Sequence, residues 1–184
     1  MSLPEKIISL HQSLQSANIK HAFGGALALA WCTRQARGTI DIDLNIFLAP
    51  EQAEDALHAL PEGIAWTKKE LSELVAQGQV RLNWDTTPID LFLNTMKLHE
   101  QMSRRVRWED FVGESIPFLT CQDIAVLKVF FNRTKDWADL EAMVEAGTIK
   151  IPQVTATIIE YLGADDERVI ELAKLSSLLK PESE

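Results

Sequence analysis

The segment Ile40–Leu48, with the sequence IDIDLNIFL, is the clearest strand pattern in the chain and decides which kind of fold to expect. Apolar residues occupy every second position, and the positions between them hold Asp41, Asp43, Asn45 and Phe47. Successive side chains of a strand point to opposite faces of a sheet. The apolar row therefore faces a core, while both aspartates face the other way, about 6.8 Å apart along the strand. We predict a strand over Ile40–Leu48 whose second face carries two carboxylates.

A second strand pattern carries a third aspartate. Residues 80–84 and 89–93 alternate apolar and polar positions on either side of an Asp85-Thr-Thr-Pro turn, which predicts a β-hairpin with Asp90 opposite its apolar row. Aspartate is a poor strand former, and such local inconsistencies concentrate at functional sites. Three carboxylates brought together repel one another unless a cation neutralises them, and all-oxygen ligands suit Mg²⁺ or Mn²⁺. The alternative is that the three aspartates lie on a solvated sheet face.

A glycine pair adds context to the aspartates. Gly24-Gly25 stands between a short extended segment, residues 19–23, and an Ala- and Leu-rich stretch that predicts a helix. Two glycines at such a turn let backbone N–H groups approach a phosphate at the positive end of the helix. Gly-Gly alone would fit any tight turn. The combination of Gly-Gly with Asp-x-Asp on the next strand and Asp90 on a later strand predicts a site for a metal–triphosphate complex.

Two blocks of sequence resemble the polymerase-beta nucleotidyltransferase superfamily. The first joins Phe23-Gly-Gly-Ala-Leu-Ala to Arg37-x-Thr39-x-Asp41-x-Asp43-Leu, and the second reads Lys128-x4-Arg133-x-Lys135-Asp136-x2-Asp139-Leu. With Asp90 between them, they span roughly residues 19–145 and look most like the bacterial branch that includes AbiEii-type toxins. The spacing from Gly25 to Asp41 is longer than in the commonest superfamily motif, and the chain is shorter than full AbiEii-type toxins.

The resemblance implies a role for each matching residue. It implies nucleotide binding by six residues, namely Gly24, Gly25, Arg37, Thr39, Lys128 and Lys135. It also implies that Asp41, Asp43 and Asp90 are the catalytic residues and bind two divalent cations, Mg²⁺ or Mn²⁺. Asp90 would also help to deprotonate the attacking hydroxyl. The implied substrate is a nucleoside triphosphate (NTP).

The second block also has an interpretation that needs no nucleotide. If one helix runs through it, Lys128 and Lys135 lie on one face, and Lys135 can pair with Asp139 at i,i+4. The block is then a solvated charged face opposite a row of apolar residues. The order of the motifs along the chain favours phosphate binding for the two lysines, but not for Asp139.

The composition describes an ordinary globular chain and limits its partners. Of the 184 residues, 46% are hydrophobic and 24% are charged, and the net charge is −9. An acidic chain argues against a broad phosphate-binding surface, so any RNA contact must be small and local. We predict an α+β nucleotidyltransferase fold with a short mixed sheet flanked by helices. Residues 1–119 form the core in this prediction, and residues 120–184 form a helical region packed on it.

The cysteines and the apolar runs bear on location. Cys32 and Cys121 lie far apart among apolar neighbours and have no metal-ligand spacing, which predicts buried free thiols in a reducing cytoplasm. The N-terminus has no secretory pattern, and no apolar run approaches the ~20 residues that a membrane helix needs. We therefore expect a cytoplasmic protein without a membrane partner.

The expected reaction moves a nucleoside monophosphate from an NTP to an acceptor hydroxyl on RNA, protein or a small molecule. Two alternatives remain open. One is a non-catalytic binding module that keeps the fold and acts through a partner, for example an antitoxin-like protein in a toxin–antitoxin pair. The other is a small-molecule modifier such as an antibiotic-adenylating enzyme, since an acidic chain suits a cationic acceptor at least as well as RNA.

Overall fold

The computed structural model describes residues 1–36 and 38–177, which divide into two compact units. The first unit takes in residues 1–27 and 38–120, and the second takes in residues 28–36 and 121–177. Within the described ranges, no helix has both the length and the apolar character needed to cross a membrane.

The first unit combines strands with short helices. In chain order its elements are α1 (Leu3–Ser16), β1 (His21–Phe23), the start of α2 (Gly25–Thr33), β2 (Ile42–Ile46), a 3₁₀ turn (Pro50–Gln52), α3 (Ala53–His58), α4 (Lys68–Gln77), β3 (Gln79–Trp84), β4 (Thr87–Phe92), α5 (Lys97–Ser103), β5 (Arg107–Phe111) and β6 (Glu114–Phe118). Local sequence explains where the helices begin and end. Capping boxes start α1 at Ser2 and α4 at Thr67, and Gly78, with a φ of 68°, ends α4.

The strands of this unit form one mixed sheet in the order β3-β4-β2-β1-β6-β5. The pairs β2–β4 and β1–β6 are parallel, while β1–β2 and the hairpins β3–β4 and β5–β6 are antiparallel. The hairpin that the sequence predicts over residues 80–93 forms as β3–β4 around a two-residue turn at 85–86, and β5–β6 turns at 112–113. The prediction of an α+β fold with a short mixed sheet is therefore confirmed.

The apolar row of β2 is buried, as its alternation predicts. Ile42, Leu44 and Ile46 are fully buried, and the parallel register sets the first two opposite the fully buried Ile89 and Leu91 of β4. Burial of each such side chain contributes about 1.5–3 kcal/mol to stability. This packing fixes which face of β2 points to the core, and it turns the intervening positions to the other face.

The strand that we predicted over Ile40–Leu48 is too long at both ends. Ile40 is 78% exposed, and β2 begins two residues after it. The Thr39 hydroxyl donates to Oδ1 of Asp41 (2.5 Å), and the Asp41 amide donates to Oγ1 of Thr39 (3.3 Å). These local bonds hold a bend in place of ladder pairing. At the other end, the Leu48 amide donates to the carbonyl of Ile46 (2.9 Å), which turns the chain out of the sheet.

The second unit is helical throughout its regular elements. It contains part of α2 together with α6 (Cys121–Phe131), α7 (Thr134–Glu145), α8 (Ile151–Leu162) and α9 (Glu167–Ser177). The single helix considered for the second sequence block is interrupted, because Asn132 takes a left-handed conformation (φ 53°) between α6 and α7. Lys128 therefore lies on α6 and Lys135 on α7.

The two cysteines are buried, as predicted, but the prediction of free thiols is wrong. Cys32 near the end of α2 and Cys121 at the start of α6 form a disulfide, with their Cα atoms 5.3 Å apart. That separation is typical of disulfides. The pairing joins residues 89 positions apart in sequence, so only the packing of the helices reveals it. The expectation of a cytoplasmic location loses the support that it drew from free thiols.

Candidate active site

The register of the sheet places Asp43 directly opposite Asp90. They occupy equivalent positions on the parallel strands β2 and β4. Neighbouring strands lie about 4.8 Å apart, and residues opposite one another point to the same face of the sheet. Both residues are partly exposed, in contrast to their buried apolar neighbours along the strands. The structure thus brings together two of the three aspartates that the sequence singles out.

The glycine pair lies against the Asp43 side chain. The Gly24 amide donates to the backbone carbonyl of Asp43 (2.9 Å), which extends the ladder between β1 and β2 by one residue. Gly25 has a φ of 54°, and a Cβ atom there would lie 1.7 Å from Oδ2 of Asp43. Only glycine fits, because any side chain would be strained at this φ and would collide with the carboxylate. The first turn of α2, with its unsatisfied backbone N–H groups, therefore begins beside Asp43.

Asp41 stands just before β2 and is held by Thr39. Besides its bond to Oδ1 of Asp41, the Thr39 hydroxyl lies 3.1 Å from the Asp41 carbonyl. Asp41 is partly exposed and lies two residues before Asp43, as the Asp-x-Asp spacing requires. Thr39, for which the resemblance implies nucleotide binding, contacts a carboxylate of the site in this structure.

Arg81 belongs to this site, although it lies in neither of the two sequence blocks. It faces Asp90 across the β3–β4 hairpin, and its guanidinium donates to both carboxylate oxygens, from Nε to Oδ1 (2.6 Å) and from Nη2 to Oδ2 (2.5 Å). The Arg81 side chain is 59% exposed, against 22% for Asp90. The hydrogen bonds with Asp90 and its charge raise the pKa of Arg81, and the charges of Asp41 and Asp43 add to this shift.

A signal for Arg81 was present in the sequence. A two-residue turn fixes the register of a β-hairpin. With Asp85 and Thr86 as the turn, Trp84 pairs with Thr87, and counting back along both strands sets Arg81 opposite Asp90. Opposite charges on facing positions stabilise a sheet, so the pair follows from a two-residue turn, whereas the longer Asp85-Thr-Thr-Pro turn predicted from the sequence does not give it.

The donor chemistry of the three aspartates fits a divalent cation, but the carboxylates are not gathered around one. Oxygen ligands suit Mg²⁺ or Mn²⁺, and Gly25 leaves the space beside Asp43 free of a side chain. Within residues 1–36 and 38–177, no group of three or more His, Cys, Asp or Glu side chains is placed to hold a metal ion. Asp90 is instead bound to Arg81, and Asp41 is bound to Thr39.

The second sequence block forms an ion cluster in the second unit. The ammonium of Lys128 lies 3.2 Å from Oδ1 of Asp136 and 2.6 Å from Oδ2 of Asp139. Arg133 donates from Nε to Oδ2 of Asp136 (2.6 Å). The Asp136 side chain is fully buried. Burial raises the pKa of Asp136, but hydrogen bonds from Arg133 and Lys128 outweigh it, and the pKa is lowered. The cluster keeps a buried carboxylate ionised.

Of the two other basic residues of the predicted nucleotide site, the structure describes Lys135 alone. Lys135 is exposed on α7. Arg37 lies outside the described residues. Nucleotide contacts by Lys128, Lys135 and Arg37 stay predictions.

Comparison with known proteins gives a fold. No protein-family model and no curated protein matches the sequence. An antigenic nucleotidyltransferase-like protein from Paracoccidioides brasiliensis superposes with a TM-score of 0.58 at 15% identity, covering 97% of this chain and 92% of that chain. The antibiotic-resistance factor ANT(2'')-Ia superposes with a TM-score of 0.55 at 11% identity, covering 95% and 94%. At such identities the likeness concerns architecture alone, and it shows that this chain has the nucleotidyltransferase fold.

Proposed function

We propose that the protein is a metal-dependent nucleotidyltransferase that moves a nucleoside monophosphate from an NTP to an acceptor hydroxyl. The observation that carries the proposal is the pairing of Asp43 with Asp90 on neighbouring strands, with the Gly24-Gly25 turn against Asp43. The paired carboxylates supply ligands for a cation, and the helix N-terminus beside them supplies N–H donors for a phosphate.

The triphosphate would lie at the first turn of α2. The Gly24 amide is already bonded to the Asp43 carbonyl, so the phosphate donors are the N–H groups that begin with Gly25. Those donors carry the positive end of the helix dipole, which favours an anion. Gly24 and Gly25 contribute mainly by allowing close approach, since neither places a side chain between the phosphates and Asp43.

The three aspartates would hold the cations, with Thr39 orienting Asp41. Divalent cations bound there supply charge neutralisation at the α-phosphate. Asp90 accepts the proton of the acceptor hydroxyl as the acceptor oxygen forms its bond to the α-phosphorus. The bond from that phosphorus to the bridging oxygen of the β-phosphate breaks, and pyrophosphate leaves. Asp90 thus acts as the general base of the transfer.

NTP binding is tested first, and nucleotide transfer second. Thermal shift with each of the four NTPs, with and without Mg²⁺, should show stabilisation that needs both ligands. Transfer is then followed from an α-labelled NTP to RNA, protein and aminoglycoside acceptors. Asp43→Asn and Asp90→Asn should each lower transfer by about a hundredfold or more. Asp110→Asn, which removes an exposed carboxylate from β5, is the matched control and should retain it. Unchanged transfer in Asp43→Asn would refute the proposal.

A non-catalytic binding module is the second candidate function. It is favoured by the observation that Asp90 is bound to Arg81 and Asp41 to Thr39, while no carboxylate cluster placed to hold a cation occurs in the described part of the chain. Such a module would act through a protein partner, and the sequence resemblance to AbiEii-type toxins points to an antitoxin-like one. The thermal-shift experiment separates the two candidates, because a binding module of this kind shows no Mg²⁺-dependent shift with any NTP.

A further inference from the structure

Arg81 continues a line of facing residues across the sheet. Arg81 on β3 faces Asp90 on β4, and Asp90 faces Asp43 on β2. The line ends at the Gly24 amide, which bonds to the Asp43 carbonyl. The guanidinium binds both oxygens of Asp90 and lies within electrostatic reach of Asp41 and Asp43. The positively charged Arg81 guanidinium therefore lies beside the aspartates that would bind a divalent cation.

We propose that Arg81 is the internal counter-ion of this site, which neutralises Asp90 until a divalent cation arrives and must leave Asp90 before that carboxylate can share a cation with Asp43. The inference rests on the proposed function, because it takes Asp43 and Asp90 as cation ligands. In this role Arg81 is a positioning residue. It sets the affinity of the site for the cation without contacting the reacting atoms.

The geometry explains why Arg81 would compete with a cation and yet give way to it. A bidentate guanidinium covers both oxygens of Asp90, and its charge repels an approaching divalent ion. The Arg81 side chain is 59% exposed, so water can solvate the guanidinium once it is released. Exposed ion pairs are weak, because water solvates both partners well. We therefore expect removal of the guanidinium to strengthen cation binding by about fivefold.

Mn²⁺ binding without nucleotide tests the inference directly. The dissociation constant is measured by the electron paramagnetic resonance signal of free Mn²⁺ and by isothermal titration calorimetry. Arg81→Gln removes both the positive charge and the bidentate hydrogen bonding to Asp90. Arg81→Lys keeps the charge but loses the bidentate geometry. Lys97→Gln removes an equal charge from an exposed position on α5 and is the matched control. Asp43→Asn, in the wild-type and the Arg81→Gln backgrounds, shows whether Mn²⁺ binds at this site.

Each outcome decides the inference. It is supported if Arg81→Gln binds Mn²⁺ about fivefold more tightly, Arg81→Lys falls between Arg81→Gln and wild type, and Lys97→Gln equals wild type within about twofold. If Arg81→Gln binds Mn²⁺ as tightly as the wild type or more weakly, the inference is wrong and Arg81 is only a structural partner of Asp90. If Asp43→Asn nevertheless abolishes Mn²⁺ binding, the proposed function still stands. Wild-type binding that is absent or indifferent to Asp43→Asn overturns the inference, and the thermal shift with NTP and Mg²⁺ together then decides the proposed function separately.

Discussion

Replacing Gly25 with alanine tests whether the glycine turn is shaped by the carboxylate beside it. Two costs follow from the structure. A φ of 54° costs a non-glycine residue about 1–2 kcal/mol. The new Cβ would also lie 1.7 Å from Oδ2 and 2.9 Å from Cβ of Asp43, and forcing that side chain aside costs about 1–3 kcal/mol more. We expect Gly25→Ala to lower the free energy of unfolding by about 2–5 kcal/mol.

Gly113→Ala is the matched control for the backbone cost. Gly113 lies in the same unit with a φ of 84°, and a Cβ there would meet nothing within 4 Å. Its φ is no easier for alanine than that of Gly25, so any excess cost at Gly25 is steric. Urea unfolding followed by tryptophan fluorescence compares the two variants. In an Asp43→Gly background, which removes all three contacting atoms, the cost of Gly25→Ala should fall to that of Gly113→Ala. Equal costs in the wild-type background would refute the reasoning.

The remaining predictions concern an imidazole, an ion cluster and the disulfide. Burial lowers the pKa of His21 to about 4 from 6.5. Only the unfolded chain is then protonated between these values, so unfolding should become easier by up to about 3 kcal/mol as the pH falls from 6.5 to 4. Lys128→Met should cost about 3 kcal/mol or more in urea unfolding, because it removes a cation from two aspartates, whereas Lys135→Met should cost under about 0.5. Reduction of Cys32–Cys121 should lower the free energy of unfolding by about 4–5 kcal/mol, since the bond closes a long loop.

Each of these predictions has a result that contradicts it. A His21 imidazole that titrates near 6.5 by nuclear magnetic resonance would remove the basis of the pH prediction. Equal effects of the two lysine variants would show that the cluster does not depend on Lys128. The double variant Cys32→Ser/Cys121→Ser should be insensitive to reductant. If it responds as the wild type does, the disulfide is not the source of the effect.

Alternating patterns in the sequence were enough to predict the core strands and the face that carries the aspartates. Ile42, Leu44 and Ile46 could face a core only if Asp43 faced away from it, and the burial of these residues agrees. Ile40 continues the same pattern, yet it lies outside the strand because Thr39 and Asp41 bond to each other. The periodicity of apolar residues shows which residues could share a face of a strand. It does not show whether local side-chain hydrogen bonds will prevent the strand from forming there.

The parts that could not be predicted depend on contacts distant in sequence. The pairing of Asp43 with Asp90 requires β2 and β4 to be neighbours, and nothing local to either strand specifies this. The disulfide likewise requires the ends of two helices to meet. The break at Asn132 had a local signal, since asparagine tolerates a left-handed conformation better than most residues. A charged arginine on an exposed strand face is common, so only the register of the β3–β4 hairpin shows that Arg81 belongs to the site.

The two-residue turn between β3 and β4 makes the site sensitive to changes in loop length. Inserting one residue there would set Leu82 opposite Asp90 in place of Arg81, and a one-residue slip also exchanges the faces of the whole strand. Leu82, now buried, would then leave the core. A loop that touches no proposed ligand thus determines the charge beside Asp90. Insertions and deletions at this turn should be tolerated far less than substitutions of its residues.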